Sequence, residues 1–278
     1  MAPTFIKSIS HFYTFDYNKV YFQSFKSQYF DNLIQLFLQP TTPLLLVLIY
    51  LLFSKLIFGY IRNIFKIKPK GAIDNFVAFH SFILAIYSGW TCYNSWSIVY
   101  NFINENDGTL NSALCDVEGK LWVQKNFSFW VLHFYLSKFY EFFDTWITIL
   151  KGKKVSFLQE FHHAGIALSM WGFYVSSASV VLIIVTFNSF IHTIMYTYYT
   201  AASFGYRSPL KNYLTIAQIF QFILGMTISL GTHFYEGCLS SSQSFVLGMT
   251  QIYTIILIIL FVWFYKEEYS SKKKIKNI

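Results

Sequence analysis

The sequence predicts an all-α polytopic membrane protein with seven transmembrane helices. Three observations carry this expectation. The 278 residues are 55% hydrophobic and 22% aromatic, and only 12% are charged, about half the charge of an ordinary soluble domain. Seven apolar stretches recur along the chain, each near the roughly 20 residues a helix needs to cross a bilayer. Basic residues gather in alternate breaks between them, the asymmetry that orients a multi-pass chain.

The apolar segments cover 42–61, 73–98, 127–150, 155–175, 178–204, 212–232 and 244–265. Together they define a transmembrane domain over 42–265. The preceding tail, 1–41, mixes Lys, Asp, Ser and aromatic residues without a continuous apolar core. No cleavable signal peptide is expected, and the first span is expected to act as the signal. Pro43, Pro69 and Pro209 fall at or before span starts, and no proline interrupts a span. That predicts unkinked helices. The one long connection between spans is 104–126, and no internal repeat is visible.

The breaks after spans one, three, five and seven hold Arg62, Lys66, Lys68 and Lys70; Lys151, Lys153 and Lys154; Arg207 and Lys211; and Lys266, Lys272, Lys273, Lys274 and Lys276. The opposite breaks hold Glu105, Asp107, Asp116, Glu118 and Glu236, with Lys120 and Lys125 as their basic residues. The 1–41 tail is therefore expected in the lumen and the basic 266–278 tail in the cytosol. The net charge of +8 reflects topology, with a second use in holding a phosphate-bearing substrate at the cytosolic mouth, and not nucleic-acid binding. The ending Lys274-Ile275-Lys276-Asn277-Ile278 matches a Lys-x-Lys-x-x retrieval tail, which predicts the endoplasmic reticulum membrane. Cys92 lies within span two and reads as a small buried hydrophobe. Cys115 and Cys238 lie in two luminal breaks, where oxidising conditions allow a disulfide tying the 2–3 loop to the 6–7 loop.

The spans carry polar residues in register. Span three has Lys138, Glu141, Asp144 and Thr145; span four has Gln159, His162 and His163; span five has Asn188, His192, Met195, Tyr196 and Tyr199; span six has Thr215, Gln218 and Gln221. These spacings keep each set on one helical face. An ionisable group at membrane depth costs roughly 2.5–3.5 kcal/mol on insertion scales. Single polar residues often serve as glue between helices. Four polar faces at matching depth in the cytosolic half predict a cavity instead. Two chemistries suit it. His162, His163, His192 and Asp144 have the donor types of a small metal site. Without metal, a neutral imidazole is a nucleophile towards a thioester and a base near neutral pH, with a neighbour free to move protons.

At this point the residues match a family. Lys138-Phe139-Tyr140-Glu141-Phe142-Phe143-Asp144-Thr145 resembles the Lys-x-x-Glu-x-x-Asp-Thr box of the fatty acid elongases, the very-long-chain 3-oxoacyl-CoA synthases. Phe161-His162-His163 resembles the end of their His-x-x-His-His box. The run Asn188 to Tyr199 is similar to their Asn-x-x-x-His-x-x-Met-Tyr-x-Tyr-Tyr box, and Thr215-Ile216-Ala217-Gln218-Ile219-Phe220-Gln221-Phe222 to their Thr-x-x-Gln-x-x-Gln-Phe box.

The resemblance implies decarboxylative condensation of malonyl-CoA with a long-chain acyl-CoA, without cofactor or metal. It implies six helices around an acyl-chain tunnel. His162 matches the histidine thought to carry the acyl group, and His192 its partner in proton transfer or malonyl activation. His163, Asn188, Glu141, Asp144 and Tyr196 would support and orient. Lys138 would help bind CoA or the malonyl carboxylate, with Lys211 and Lys266 as further candidates for CoA phosphates. Gln159, Tyr199, Gln218 and Gln221 join the substrate-binding set. Expected partners are membrane lipid and the ketoacyl-CoA reductase, dehydratase and enoyl-CoA reductase of the elongation cycle, with a homodimer as a further expectation.

One departure stands out. Gln159 occupies the first histidine position of the box, as in several members that lengthen polyunsaturated chains, which favours that substrate class and weakens the metal reading. A seven-helix receptor shares the predicted layout but leaves the buried polar faces unexplained. A transporter would show repeats or broken helices.

Overall fold

The structure is a computed structural model and describes residues 27–67, 72–105, 108–206 and 208–270. Lys68, Pro69, Lys70, Asp107, Arg207, the lysines of the retrieval-like ending and most of the 1–41 tail lie outside the described residues.

The described chain is helical: α1 (Gln28–Leu38), α2 (Thr41–Ile64), α3 (Ala72–Glu105), α4 (Leu110–Cys115), α5 (Phe127–Tyr140), α6 (Phe142–Leu150), α7 (Phe157–Val175), α8 (Leu182–Ser203), α9 (Leu210–Gly231) and α10 (Ser241–Tyr265). Short π-helical turns cover Lys120–Gln124 and Lys266–Ser270, and 3-10 turns cover Ser179–Val181 and Thr232–Phe234. Among the described residues five helices, α2, α3, α8 with its preceding turn, α9 and α10, are long and apolar enough to cross a membrane. α7 is 19 residues long, but Gln159, Glu160, His162 and His163 dilute its first turns. The third predicted span is broken.

That break corrects the expectation of unkinked helices. The segment 127–150 divides at Glu141, with no proline or glycine there. Glu141 N–H donates to Ser137 O at 2.9 Å, and Asp144 N–H returns to Glu141 O at 3.1 Å, a tighter turn. The break falls at a buried ion pair, in which Glu141 bonds Lys138 one turn earlier.

α2 shows how lipid reverses the usual pattern of a surface helix. Its buried stripe is Pro43, Val47, Tyr50 and Ser54, facing α6 and α7. Leu44, Leu45, Leu48, Leu52 and Leu56 point outward, each more than half exposed. In water such a face would be a liability; against acyl chains it costs nothing. α3 packs along the length of α8 through small buried residues, with Ser88, Thr91 and Ser95 on one side and Ser189 on the other. Small side chains let membrane helices approach closely. α8 continues to α9, α9 to α10 and α10 to α7, while α5 closes the ring against α7, α3 and α8. α2 sits outside that ring.

The two ends of the bundle differ in chemistry. At one end Cys115 and Cys238 form a disulfide. Beside it Asn111 donates to Tyr235 OH, and Asp116 accepts from Leu121 N–H, Trp122 N–H and the Ser179 hydroxyl. The described part of the 104–126 connection, 108–126, thus forms a cap with its own helix. At the other end lie Lys151–Asp74, Lys55–Glu160 and Lys211–Glu268 pairs at 2.6, 2.8 and 3.2 Å. Ion pairs this exposed contribute about 0–1 kcal/mol each.

α1, within the predicted tail, is also built in. Its last turn leaves carbonyls without intrahelical donors. Tyr135 OH and Trp171 Nε1 donate to the Phe37 and Leu38 carbonyls, both at 2.8 Å. Ile34 and Leu38 are buried on its inner face.

Candidate active site

Four helices line an apolar cavity of about 690 Å³ that is partly open to its surroundings. α7 contributes His162, Ile166 and Phe173; α8 contributes Ile183, Phe187 and Asn188; α9 contributes Gln221, Phe222 and Met226; α10 contributes Leu247, Tyr253 and Leu257. From His162 to Phe173 is eleven residues of helix, roughly 16 Å at 1.5 Å each. The cavity therefore runs from the histidine pair toward the disulfide end. Its walls are mostly apolar, with His162, Asn188, Gln221, Ser229, Gln251 and Tyr253 among the polar side chains that line it.

The four residues predicted on one face of span three take up three separate environments. Successive positions along a helix turn by about 100°, so Lys138 and Asp144 already differ by roughly 120° before the break at Glu141. Lys138 points into the core at 1% exposure, with Glu141 beside it at 2%. Its ammonium donates to Glu141 Oε1 at 2.6 Å and Asn188 Oδ1 at 3.2 Å, and sits 3.9 Å above the Phe134 ring. Asp144 turns to another neighbourhood, accepting from Tyr196 OH at 2.7 Å and bonding His80 Nε2 at 3.0 Å. Thr145 pairs with Tyr50 OH at 2.8 Å and accepts from Gln159 Nε2 at 3.1 Å.

The adjacent histidines diverge. His162 faces the cavity, and its Nδ1 lies 3.1 Å from Tyr253 OH. His163 turns away toward α2 and α6, edge-on to Tyr50 and Phe142 at 6.3 Å each. His163 Nδ1 is buried without a hydrogen-bond partner among the described residues. His192 Nδ1 is 3.9 Å from Glu141 Oε1, too far for a hydrogen bond. Lys138, His162, His163 and His192 lie close enough to act on one another electrostatically. They do not gather as ligands: among the described residues no three His, Cys, Asp or Glu side chains converge on a point that would hold a metal ion.

The orientation of Asn188 follows from what Lys138 can do. An ammonium donates and never accepts, so the Asn188 oxygen must face Lys138. The Asn188 amide N–H₂ is the half left for the cavity, which Asn188 lines.

The remaining predicted residues are spread more widely. Gln221 lines the cavity, and its Oε1 is buried without a partner among the described residues. Gln218 donates to Met195 Sδ at 3.5 Å. Tyr199 lies beside Tyr196 and is 41% exposed. Gln159 serves Thr145 and the start of α7, and it does not line the cavity. Lys211 is paired with Glu268, and Lys266 is exposed at the end of α10.

Two partners were not foreshadowed by any motif. His80 is 2% exposed and holds Asp144 from a helix of otherwise unremarkable polar spacing. Tyr253 sits in the most apolar predicted span. One trace of Tyr253 is legible on the opposite helix. Gly165 and Gly172 are seven residues apart on α7, and a Cβ added at either would meet Tyr253 or Val246, themselves seven apart on α10. At Gly165 that Cβ would lie 2.2 Å from Tyr253 Cε2.

The chain is similar to known proteins along most of its length. The model of the GNS1/SUR4 (ELO) family matches residues 35–277. Fatty acid elongase 5 of Trypanosoma cruzi is 33% identical over 174 residues, which is 61% of this chain and 66% of that protein. Fatty acid elongase A of Dictyostelium discoideum is 32% identical over 157 residues, 54% of this chain and 57% of that one. Fatty acid elongase sre1 of the same organism is 35% identical over 172 residues, 59% and 61% respectively. The matched region thus spans less than two thirds of each of these relatives. The family match itself contains every polar box described above, and on it the chain belongs to the GNS1/SUR4 (ELO) family.

Proposed function

We propose that this protein is the condensing enzyme of fatty acid elongation, joining a long-chain acyl-CoA to malonyl-CoA with loss of carbon dioxide. One observation carries the reading: an imidazole, His162, and an amide held by Lys138, Asn188, line the same apolar cavity. The elongase names of the relatives point the same way.

In the first half-reaction, the His162 Nε2 lone pair attacks the thioester carbonyl. The C–S bond breaks and CoA leaves as a thiolate that takes up a proton. The Asn188 N–H₂ donates to the carbonyl oxygen as negative charge develops on it, a contribution of about 10²–10³ in rate for one such donor. In the second, malonyl-CoA loses carbon dioxide, and the resulting enolate attacks the acyl carbon and displaces the imidazole. The sum consumes one proton. His192 and the unpartnered Glu141 Oε2 are suited to handling it. Lys138 acts here as a positioning residue for Asn188, since both its bonds lie inside the protein.

The proposal extends to setting. The five long helices together with α5–α6 and α7 make seven crossings of the endoplasmic reticulum membrane, six of them around the acyl tunnel. The disulfide end is luminal, where an oxidising compartment preserves such a bond. The lysine-rich end is cytosolic, where Lys266, and Lys211 by exchanging its Glu268 partner, would meet CoA phosphates. The 3-oxoacyl product calls for a reductase, a dehydratase and a second reductase acting in turn. Gln159 does not touch the cavity, so any preference for polyunsaturated chains must be set by the cavity walls. The test is a panel of acyl-CoAs of graded length and unsaturation, with labelled malonyl-CoA and purified protein. Formation of 3-oxoacyl-CoA with an acyl adduct mapped to His162 is the expected result. Normal turnover by His162→Ala would remove that histidine from the mechanism.

A further inference from the structure

We infer that Tyr253 is a positioning residue that locks His162 in the tautomer with its proton on Nδ1, leaving Nε2 as the bare, attacking nitrogen; this rests on the proposed role of His162. A phenol has a single proton to give. Tyr253 OH lies 3.0 Å from the His162 backbone carbonyl, an atom that can only accept. The same hydroxyl lies 3.1 Å from His162 Nδ1. Once the proton is committed to the carbonyl, the phenol oxygen meets Nδ1 as an acceptor, so Nδ1 must carry hydrogen. The other tautomer would set two lone pairs against each other at that distance. Nε2 then has a lone pair and no hydrogen-bond partner among the described residues, in a side chain that lines the cavity.

The clamp also fixes the ring in space. Both contacts come from one atom on α10 to two atoms of one residue on α7, which removes rotation about the His162 side-chain bonds. Gly165, one turn beyond His162, makes this possible. Any side chain there would strike the Tyr253 ring, since an added Cβ would stand 2.2 Å from Cε2 and 2.8 Å from Cζ. Acylation uses the arrangement directly. As Nε2 bonds the acyl carbon and CoA departs, the imidazole becomes positively charged; its proton stays on Nδ1, held in the hydrogen bond to the Tyr253 oxygen, and displacement of the imidazole by the enolate restores the neutral ring.

The test uses the full chain in lipid with isotope-labelled histidine. Solid-state NMR separates the two tautomers by their ring nitrogen shifts, and His162→Gln identifies the signal. Wild type is expected to show protonated Nδ1 and bare Nε2. Tyr253→Phe keeps the ring and the helix seam but removes the hydroxyl. It should give a mixture of tautomers and slow acyl-adduct formation roughly three- to tenfold, the equivalent of one ordinary hydrogen bond, with KM for acyl-CoA unchanged. Gly165→Ala should shift the tautomer in the same direction with the hydroxyl still present. An unchanged tautomer and adduct rate in Tyr253→Phe would overturn the inference, and so would a wild-type signal with protonated Nε2. If the adduct maps to a residue other than His162, the functional reading falls, while the tautomer measurement still decides the clamp.

Discussion

The molecule holds two tyrosine–histidine clamps of the same design, and they are used differently. Tyr87 OH lies 2.7 Å from His133 Nδ1 and 3.0 Å from the His133 carbonyl. Tyr253 meets His162 at 3.1 and 3.0 Å through the same two atoms. Both histidines therefore present Nε2. Around His133 that nitrogen is buried without a partner, in a cage of Trp90, Trp130 and Phe129 rings 4.8–5.4 Å away. Around His162 it belongs to a side chain on an open cavity, with Asn188 on the same lining and Lys138 and His192 within electrostatic reach. A clamped imidazole is thus a structural unit. Access and neighbouring charge turn one copy into a candidate nucleophile and leave the other as a packing element.

This comparison can be broken in several places. The largest effect is expected from the histidines themselves. His162→Ala should lower single-turnover condensation by about a thousandfold or more, as removal of a nucleophile does, whereas His133→Phe should stay within about twofold. Comparable losses in both would mean the cavity does not separate the two sites. Next comes the charge that distinguishes them. Glu141→Gln leaves the Lys138 ammonium buried without the charge that neutralises it, a change that costs about 3–5 kcal/mol in comparable buried pairs. Thermal melting in detergent should register it, whereas Lys55→Met, at an exposed pair, should cost no more than about 1 kcal/mol. A similar cost for both variants would show that Lys138 is not committed to the interior.

Smaller effects sharpen the contrast. Asn188→Ala should reduce the chemical step by roughly a hundredfold with little change in acyl-CoA binding, because the donor acts as charge develops. A rise in KM alone would recast Asn188 as a binding group. The smallest expected difference lies between the two tyrosines. Tyr87→Phe should cost about 1 kcal/mol of stability, the worth of one hydrogen bond, and leave turnover unchanged; loss of activity there would make the His133 region part of the working site.

Much of this site is legible along the chain, and the reasons are local. Lys138, Glu141, Asn188, His162 and His192 stand out because ionisable and amide groups in apolar helices are costly and rarely kept without use. Helical spacing put each set on a shared face, and the structure does bring Lys138, Glu141 and Asn188 into contact. Spacing was a poorer guide over longer runs. Asp144 follows Lys138 by six residues, but the accumulated rotation and the break at Glu141 carry it to His80 and Tyr196 instead. The pairing of His162 with His163 was likewise only sequential. Neighbours on a helix point about 100° apart, and one ring went to the cavity while the other went to Tyr50 and Phe142.

The chain by itself determined the helical class, the positions of its apolar segments and the set of polar residues to be hidden from lipid. These follow from composition and period, which act within a few turns. Three things were decided only in the folded molecule. Which end of the Asn188 amide faces Lys138, and hence which end is left for the cavity, needs α5 and α8 side by side. The break at Glu141, where Lys138 and Glu141 pair in the interior, has no proline or glycine to announce it. Tyr253 finds His162 across 91 residues of sequence because Gly165 leaves a gap of its size. Hydrogen-bond partners and close approaches are properties of helix pairs, and no periodicity within one helix encodes its neighbour.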